Sequence, residues 1–251
     1  MGLTIDFCGE VHRLEPDEEM TIGREGDLVI DDNPYLHRRF LRLFRESAMW
    51  WIANVGRQLA ATLSDHDGVV QAWLAPGARL PLVFDRCSVW FTAGPTTYQF
   101  EIEVDEAPFA VVAPEPSLEV AGGTTYGRTT LTPDQRLLLV VLAEPLLRRR
   151  GSGAVSTPSS AEAAARLGWP ITKFNRKLDN VCQKMARLGV RGLHGGPDRL
   201  ATDRRARLVE YALSARLVSA EDLALLDPQP TEPVPAAAAP SMSAGGGNSA
   251  G

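Results

Sequence analysis

Thr21-Ile22-Gly23-Arg24, Leu28-Val29-Ile30-Asp31, Asn33-Pro34-Tyr35-Leu36-His37-Arg38-Arg39-Phe40 and Trp51-Ile52-Ala53-Asn54-Val55-Gly56 succeed one another within residues 21–56. The runs are short, mix apolar and polar residues with a period near two, and break at turn formers. That is the signature of strands rather than helices. Working outward, Leu3–Phe7, Met20–Ile22, Phe40–Phe44, Met49–Asn54, Val89–Thr92 and Thr97–Val104 carry the same pattern. Gly26-Asp27, Asp31-Asp32-Asn33-Pro34, Asp67-Gly68, Pro76-Gly77 and Gly94-Pro95 punctuate them. Glycine reaches positive φ, proline fixes φ, and Asp or Asn bonds its own backbone, so each cluster marks a turn. Many short strands with turns between them predict a β-sandwich or barrel over residues 1–104. Trp50, Trp51, Trp73 and Trp90 are expected to supply inward aromatic bulk.

The quoted runs, in that order and spacing, resemble a forkhead-associated (FHA) domain, and the resemblance extends over residues 1–104 to the closing Val89–Glu103 hairpin. It implies a β-sandwich whose loops at one end bind phosphothreonine peptides. A dianionic phosphate needs cations and donors around it, because charge-assisted hydrogen bonds are the strong ones. Arg24 falls on the family's loop arginine, and Arg38 follows the position of its phosphate-binding serine. His37 replaces that serine, Phe40 replaces the structural histidine three residues on, and Leu59 replaces the asparagine that holds the peptide backbone. Two readings stay open. In one, Arg24, His37 and Arg38 still cradle an anion, with a protonated His37 donating and binding strengthening as pH falls from about 8 to 6. In the other, the sandwich is a protein-interaction module that no longer recognises phosphate.

Beyond a Pro- and Gly-containing connector over residues 105–130, the pattern turns helical. Thr132-Pro133-Asp134-Gln135 and Ser159-x-x-Glu162 are capping boxes, and Gly151 and Gly168 are stop signals. Pro170 opens a third helix that runs to about Leu188. Gly192, Gly195, Gly196 and Pro197 suit a β-hairpin over 190–201, and a fourth helix runs from Asp203 to about Leu217. At about 100° per residue, Phe174, Leu178, Val181, Cys182, Met185 and Leu188 form one apolar stripe of the third helix. Lys173, Arg176, Lys177, Asn180, Lys184 and Arg187 collect on another face, and the only acid in the stretch is Asp179.

Helices followed by a glycine-rich hairpin and a further helix resemble a winged helix-turn-helix. The resemblance implies DNA binding, with cations on phosphates and Arg or Asn at base edges. Arg191 and Arg199, on the wing, join that surface. Docking onto a protein is the other use of such a face.

Charge divides along the chain. Residues 1–104 hold 9 Lys/Arg against 16 Asp/Glu, a net −7, whereas residues 131–217 hold 16 against 7, a net +9. Such asymmetry suggests two domains with different partners. The chain is therefore expected to comprise an FHA-like sandwich (1–104), a linker (105–130), a mainly α winged-helix-like domain (131–227) and a disordered tail (228–251).

Cys8, Cys87 and Cys182 are odd in number and widely spaced, without a C-x-x-C, so a reducing, cytoplasmic setting is expected and a metal site is not. No apolar run is long enough to span a membrane. G-x-S-x-G, P-loop and H-E-x-x-H motifs are absent, which argues against an enzyme, a cofactor or a small-molecule substrate. Two functions follow. One is a bacterial-type regulator that receives a protein signal, phosphorylated on threonine, and binds DNA. The other is a scaffold using both domains for protein–protein contact.

Overall fold

The computed structural model describes residues 2–107, 130–149, 153–193 and 201–227, the side chains of 201–203 excepted. The N-terminal strands form two sheets. The first has the order β2 (Glu10–Leu14), β1 (Leu3–Phe7), β11 (Thr96–Val104), β10 (Arg86–Ala93), β7 (Ala61–Asp65), β8 (Gln71–Leu74). The second has the order β4 (Leu28–Val29), β3 (Met20–Gly23), β5 (Leu41–Glu46), β6 (Met49–Asn54), β9 (Arg79–Pro81). Pairing is antiparallel apart from β3 with β4.

The registers set opposite one another the residues that alternation predicts to face inward. Leu3 lies across from Val104, Ile5 from Ile102, and Leu43 from Ile52. A one-residue slip would turn every one of these side chains to the other face. Between the sheets, the Phe91 ring stacks on Tyr98 at 4.9 Å and meets the edge of Phe40 at 4.9 Å. Trp50 is buried, as expected. Trp73 departs from expectation, because it stands 36% exposed on β8.

The C-terminal part contains α1 (Pro133–Leu147), β12 (Gly153–Ser156), α2 (Ser160–Arg166), α3 (Ile171–Arg187), α4 (Ala201–Ser214) and a 3-10 turn, Ala220–Leu225. Both capping boxes form, with Thr132 and Gln135 bonding reciprocally at α1 and Ser159 and Glu162 at α2. Leu138 through Ala143 are all buried, so α1 is covered on every side and forms the middle of the helical unit. The stripe of α3 is buried at Phe174, Leu178, Val181, Cys182 and Met185. Leu188 is the exception: it caps the helix and is 54% exposed. Among the described residues no strand follows α3. Most of the expected hairpin, with Arg199, lies outside them, as do the tail and most of the connector.

The helical unit is built onto the sandwich. β12 pairs with the first half of β11, Thr97 opposite Val155, and so extends the first sheet. α4 lies across the outer face of β7, β10 and β11. Trp90, on that face, belongs to the apolar cluster of the helices rather than to the sandwich core.

A buried polar network locks this junction. Glu210 of α4 is 1% exposed and accepts from Thr62 Oγ1 at 2.9 Å and Thr92 Oγ1 at 2.8 Å, and it also pairs with Arg207. Gln71 donates to Ser214 at 2.9 Å. Arg205 is buried, and its guanidinium donates to the Pro158 carbonyl and the Ser160 hydroxyl.

Candidate functional site

The loops at one end of the sandwich are held by close backbone approach. Arg24 donates its N–H to the His37 carbonyl at 2.9 Å, and Glu25 donates to the Arg38 carbonyl at 2.8 Å. This backbone contact passes directly over Gly23. A Cβ there would stand 2.4 Å from the Arg38 oxygen and 2.8 Å from the His37 oxygen, so only glycine fits. The Gly-Arg pair thus has a mechanical reason: the missing side chain lets the 37–38 loop close down and sets Arg24 at the rim.

The neighbouring turn is pinned from below. Asn33 donates to Tyr98 Oη at 2.8 Å and to the Ala93 carbonyl at 3.0 Å, and the buried Tyr98 hydroxyl donates to Asp31 at 2.6 Å. Burial and the Asp31 carboxylate both raise the Tyr98 pKa. The β6–β7 loop is pinned by Asn54, which is 1% exposed. Its amide donates to the Leu59 and Leu74 carbonyls and its oxygen accepts from the Gly56 N–H.

His37 takes a role other than the cationic donor expected of it. Its Nε2 accepts from the backbone N–H of Arg57 at 3.2 Å and of Gln58 at 3.1 Å. An acceptor nitrogen carries no proton, so the imidazole here is neutral. Partial burial, and next the Arg57 charge, hold its pKa below the ordinary value. His37 therefore fastens the β6–β7 loop to the β4–β5 loop instead of reaching for an anion. Leu59 packs against the core rather than presenting a polar group.

Arg24 and Arg38 share a cleft of about 1130 Å³ with Trp73 and with three residues of the helical unit, Arg191, Arg204 and Arg207. The Arg24 Nε–H is buried and has no hydrogen-bond partner, and the same is true of Arg204. Buried donors in folded proteins almost always have partners, so two orphans lining one cleft mark a place for an acceptor. Arg38 pairs with Glu25 at 3.2 Å, but both side chains are mostly exposed and water screens the pair. Arg207 lies over the Trp73 ring at 4.2 Å. Among the described residues, the only carboxylate in the lining is that of Glu210, whose oxygens already serve Thr62, Thr92 and Arg207.

The α3 cations divide. Lys177 and Lys173 reach Asp134 of α1 at 3.0 and 3.7 Å, and Lys173 also lies over the Trp169 ring at 3.9 Å. The Asp134 carboxyl is accordingly held below its ordinary pKa, chiefly by the Lys177 hydrogen bond. Lys184 donates to the Thr130 carbonyl. Arg176, Asn180 and Arg187 are exposed, and no side-chain bond holds them among the described residues. Asp179, the lone acid of the stretch, pairs with Arg204 at 2.9 Å. Arg191 lines the cleft beside the sandwich loops.

Sequence reasoning missed Arg204, Arg207, Trp73 and Glu210 as members of this site. Their signal is tertiary, because only the docking of α4 brings them to the loop end. No group of three or more His, Cys, Asp or Glu among the described residues is placed to hold a metal ion. No helix among them is long and apolar enough to cross a membrane.

A scan of protein-family models matches none, and a search of curated proteins finds no match. Among solved structures, the chain is similar to FHA-1 of Rv1747 from Mycobacterium tuberculosis, at 16% identity and a TM-score of 0.31 over 42% of this chain and 97% of that one. It is similar to the FHA domain of an Arabidopsis thaliana hypothetical protein, at 18% identity and a TM-score of 0.32 over 45% and 91% of the two chains. It is also similar to the FHA domain of CT664 protein from Chlamydia trachomatis, at 14% identity and a TM-score of 0.28 over 43% and 100%.

Proposed function

We propose that the sandwich is an FHA-like recognition module that binds a phosphothreonine-bearing segment of a partner protein in the loop-end cleft. The observation that carries this reading is Arg24: it is placed by the Gly23 approach, it lines the cleft, and its buried Nε–H has no partner. A phosphate oxygen supplies the missing acceptor, and Arg38 adds a second cation at the rim. With His37 fastened to the β6–β7 loop and Leu59 packed against the core, the contacts that the family takes from serine and asparagine are not made here. Recognition then rests on the two guanidinium groups. The protein acts as a non-enzymatic regulatory adaptor, and its three cysteines, which form no disulfide, fit a reducing cytoplasm.

Side-chain NMR tests the reading directly. Titration with a phosphothreonine peptide should shift the Arg24 and Arg38 Nε–H resonances, whereas the unphosphorylated peptide should leave them in place. Equal shifts with both peptides would remove phosphate from the account.

One observation favours a second reading, DNA binding by a winged-helix-like unit: Arg176, Asn180 and Arg187 stand exposed on one face of α3. It is weakened by Asp134 and Thr130, which hold the other three cations. A random DNA duplex should then bind with an affinity that falls steeply with salt, and Arg176→Glu with Arg187→Glu should abolish it. Negligible low-salt binding by wild type leaves the scaffold alternative.

A further inference from the structure

Resting on the phosphopeptide reading of the cleft, we infer that the helical unit supplies a second anion subsite, made by Arg191 and Arg204, so that the preferred ligand carries a second anionic side chain beside its phosphothreonine.

The charge arrangement points there first. The cleft is lined by five guanidinium groups, those of Arg24, Arg38, Arg191, Arg204 and Arg207, against the single carboxylate of Glu210. Glu210 neutralises Arg207, which is also fixed by the Trp73 ring and is 12% exposed. Arg207 and Glu210 therefore form a wall rather than a recognition pair. Subtracting them leaves two cations on the sandwich side and two on the helical side. One phosphate group satisfies the first two and leaves Arg191 without an anion and Arg204 with Asp179 alone.

Arg204 supplies the independent sign. One terminal nitrogen is occupied by Asp179 at 2.9 Å, yet its buried Nε–H has no partner. A buried donor in that state is destabilising unless a ligand meets it. The cleft volume, about 1130 Å³, also exceeds the 300–1,000 Å³ typical of a small-molecule site, so one phosphorylated side chain leaves part of it unfilled. An extended peptide fills the remainder. The apolar lining of Pro34, Tyr35, Leu36 and Pro76 suits its backbone and aliphatic groups.

The two halves of the site are held in a fixed relation. α4 carries both Arg204 and Glu210, and Glu210 is bonded to β7 through Thr62 and to β10 through Thr92. The position of Arg204 relative to the sandwich is thus set by a buried contact. The helical unit becomes a specificity element of the sandwich: it selects among phosphothreonine segments by what lies a few residues away.

Fluorescence anisotropy with the full chain tests this. The probes are peptide pools with a central phosphothreonine and degenerate flanks: one neutral, two with a pair of aspartates on either side, and two with a second phosphothreonine on either side. Wild type should bind at least one doubly anionic pool about tenfold tighter than the neutral pool, the return of one added charge-assisted contact. The aspartate and phosphothreonine arms distinguish the source of the second charge. Arg191→Gln with Arg204→Gln should erase the gain, so that this variant binds the doubly anionic pools no tighter than it binds the neutral pool. Arg24→Ala should lose binding to every pool.

Equal wild-type affinity for all pools, with Arg24 still required, would overturn the second subsite while the phosphopeptide reading stands. A gain that survives in the double Gln variant would overturn it likewise. No phosphate-dependent binding at all would remove both. Binding of a random duplex that depends on Arg191 and Arg204 would assign these cations to nucleic acid instead. Arg204→Lys, which keeps the charge, and an unchanged unfolding midpoint of each variant exclude misfolding as the cause.

Discussion

Replacing Glu210 by alanine removes the centre of the junction between helix and sheet. Three groups lose their acceptor together. Arg207 is left with 12% of its side chain exposed and no counter-ion, and the Thr62 and Thr92 hydroxyls lose bonds of 2.9 and 2.8 Å. Removing one partner of a buried pair costs about 3–5 kcal/mol, because the other charge stays desolvated. Arg207 can swing toward the cleft and recover water, which moves the value to the low end. The Thr62 hydroxyl, only 5% exposed, has no such exit and adds about 1 kcal/mol or more. About 3–5 kcal/mol is therefore expected overall, a fall of roughly 6–20 °C in Tm for a chain of this size. Glu210→Gln keeps an acceptor for the threonines and should cost less.

Urea denaturation followed by tryptophan fluorescence measures the loss. Trp50 reports on the sandwich, Trp169 on the helices and Trp90 on the junction. One shared transition that moves to lower urea is the predicted outcome. A change below about 1 kcal/mol would refute the buried network. Two transitions with the sandwich one unmoved would refute the fixed relation between the units.

The neutral state of His37 gives a pH dependence. Its pKa is lowered in the fold, so the unfolded chain takes up the proton first as pH falls. The stability it confers is complete above about pH 6.5 and is lost below, and phosphopeptide binding gains nothing from pH 8 to 6. An NMR titration midpoint for His37 above 6.5 would contradict this. Gly23→Ala drives a Cβ into two backbone oxygens, so it should cost about 1–3 kcal/mol and abolish ligand binding; retained binding at wild-type affinity would show that the approach does not place Arg24. Burial pushes the Cys87 thiol up to about 12 and the Cys182 thiol up to about 11, whereas Cys8 is exposed in the β1–β2 turn. Iodoacetamide at pH 8 should thus add one adduct to the native protein by mass spectrometry, and two or more would show that the burial is wrong.

Much of the sandwich was legible because its signals are local. Alternation in Leu3–Phe7 and Thr97–Val104 fixes which residues face inward, and Asn33-Pro34 marks a turn by its own chemistry. The β5–β6 turn was harder to see. Ser47 and Ala48 hold positive φ without a glycine, so the hairpin shows only through the strands beside it. The capping boxes were readable for the same local reason, since Thr132 and Gln135 stand a fixed three residues apart.

Features set by packing were not legible. A helical wheel for α3 counts only that helix's own acids, so it cannot see Asp134 arriving from α1 to meet Lys173 and Lys177. It also places Leu188 on the buried stripe, although the helix has ended there and the chain has turned outward. His37 aligned with a phosphate-binding position, yet a ring nitrogen accepts as readily as it donates. Two neighbouring backbone N–H groups, which no motif reveals, decide between these roles. Membership of Arg204 and Trp73 in one cleft depends on α4 crossing the sheet, and Glu210 gives no sign in sequence that it will be buried opposite two threonines.

Both subsites depend on a phosphate held by Arg24 at the end of the sandwich. Isothermal titration calorimetry of the full chain with a phosphothreonine peptide pool, before and after phosphatase treatment, tests it most directly. Saturable heat is expected with the phosphorylated pool, none after phosphatase, and a loss of about tenfold or more in affinity with Arg24→Ala. Equal heats before and after phosphatase, or undiminished binding by Arg24→Ala, would contradict it.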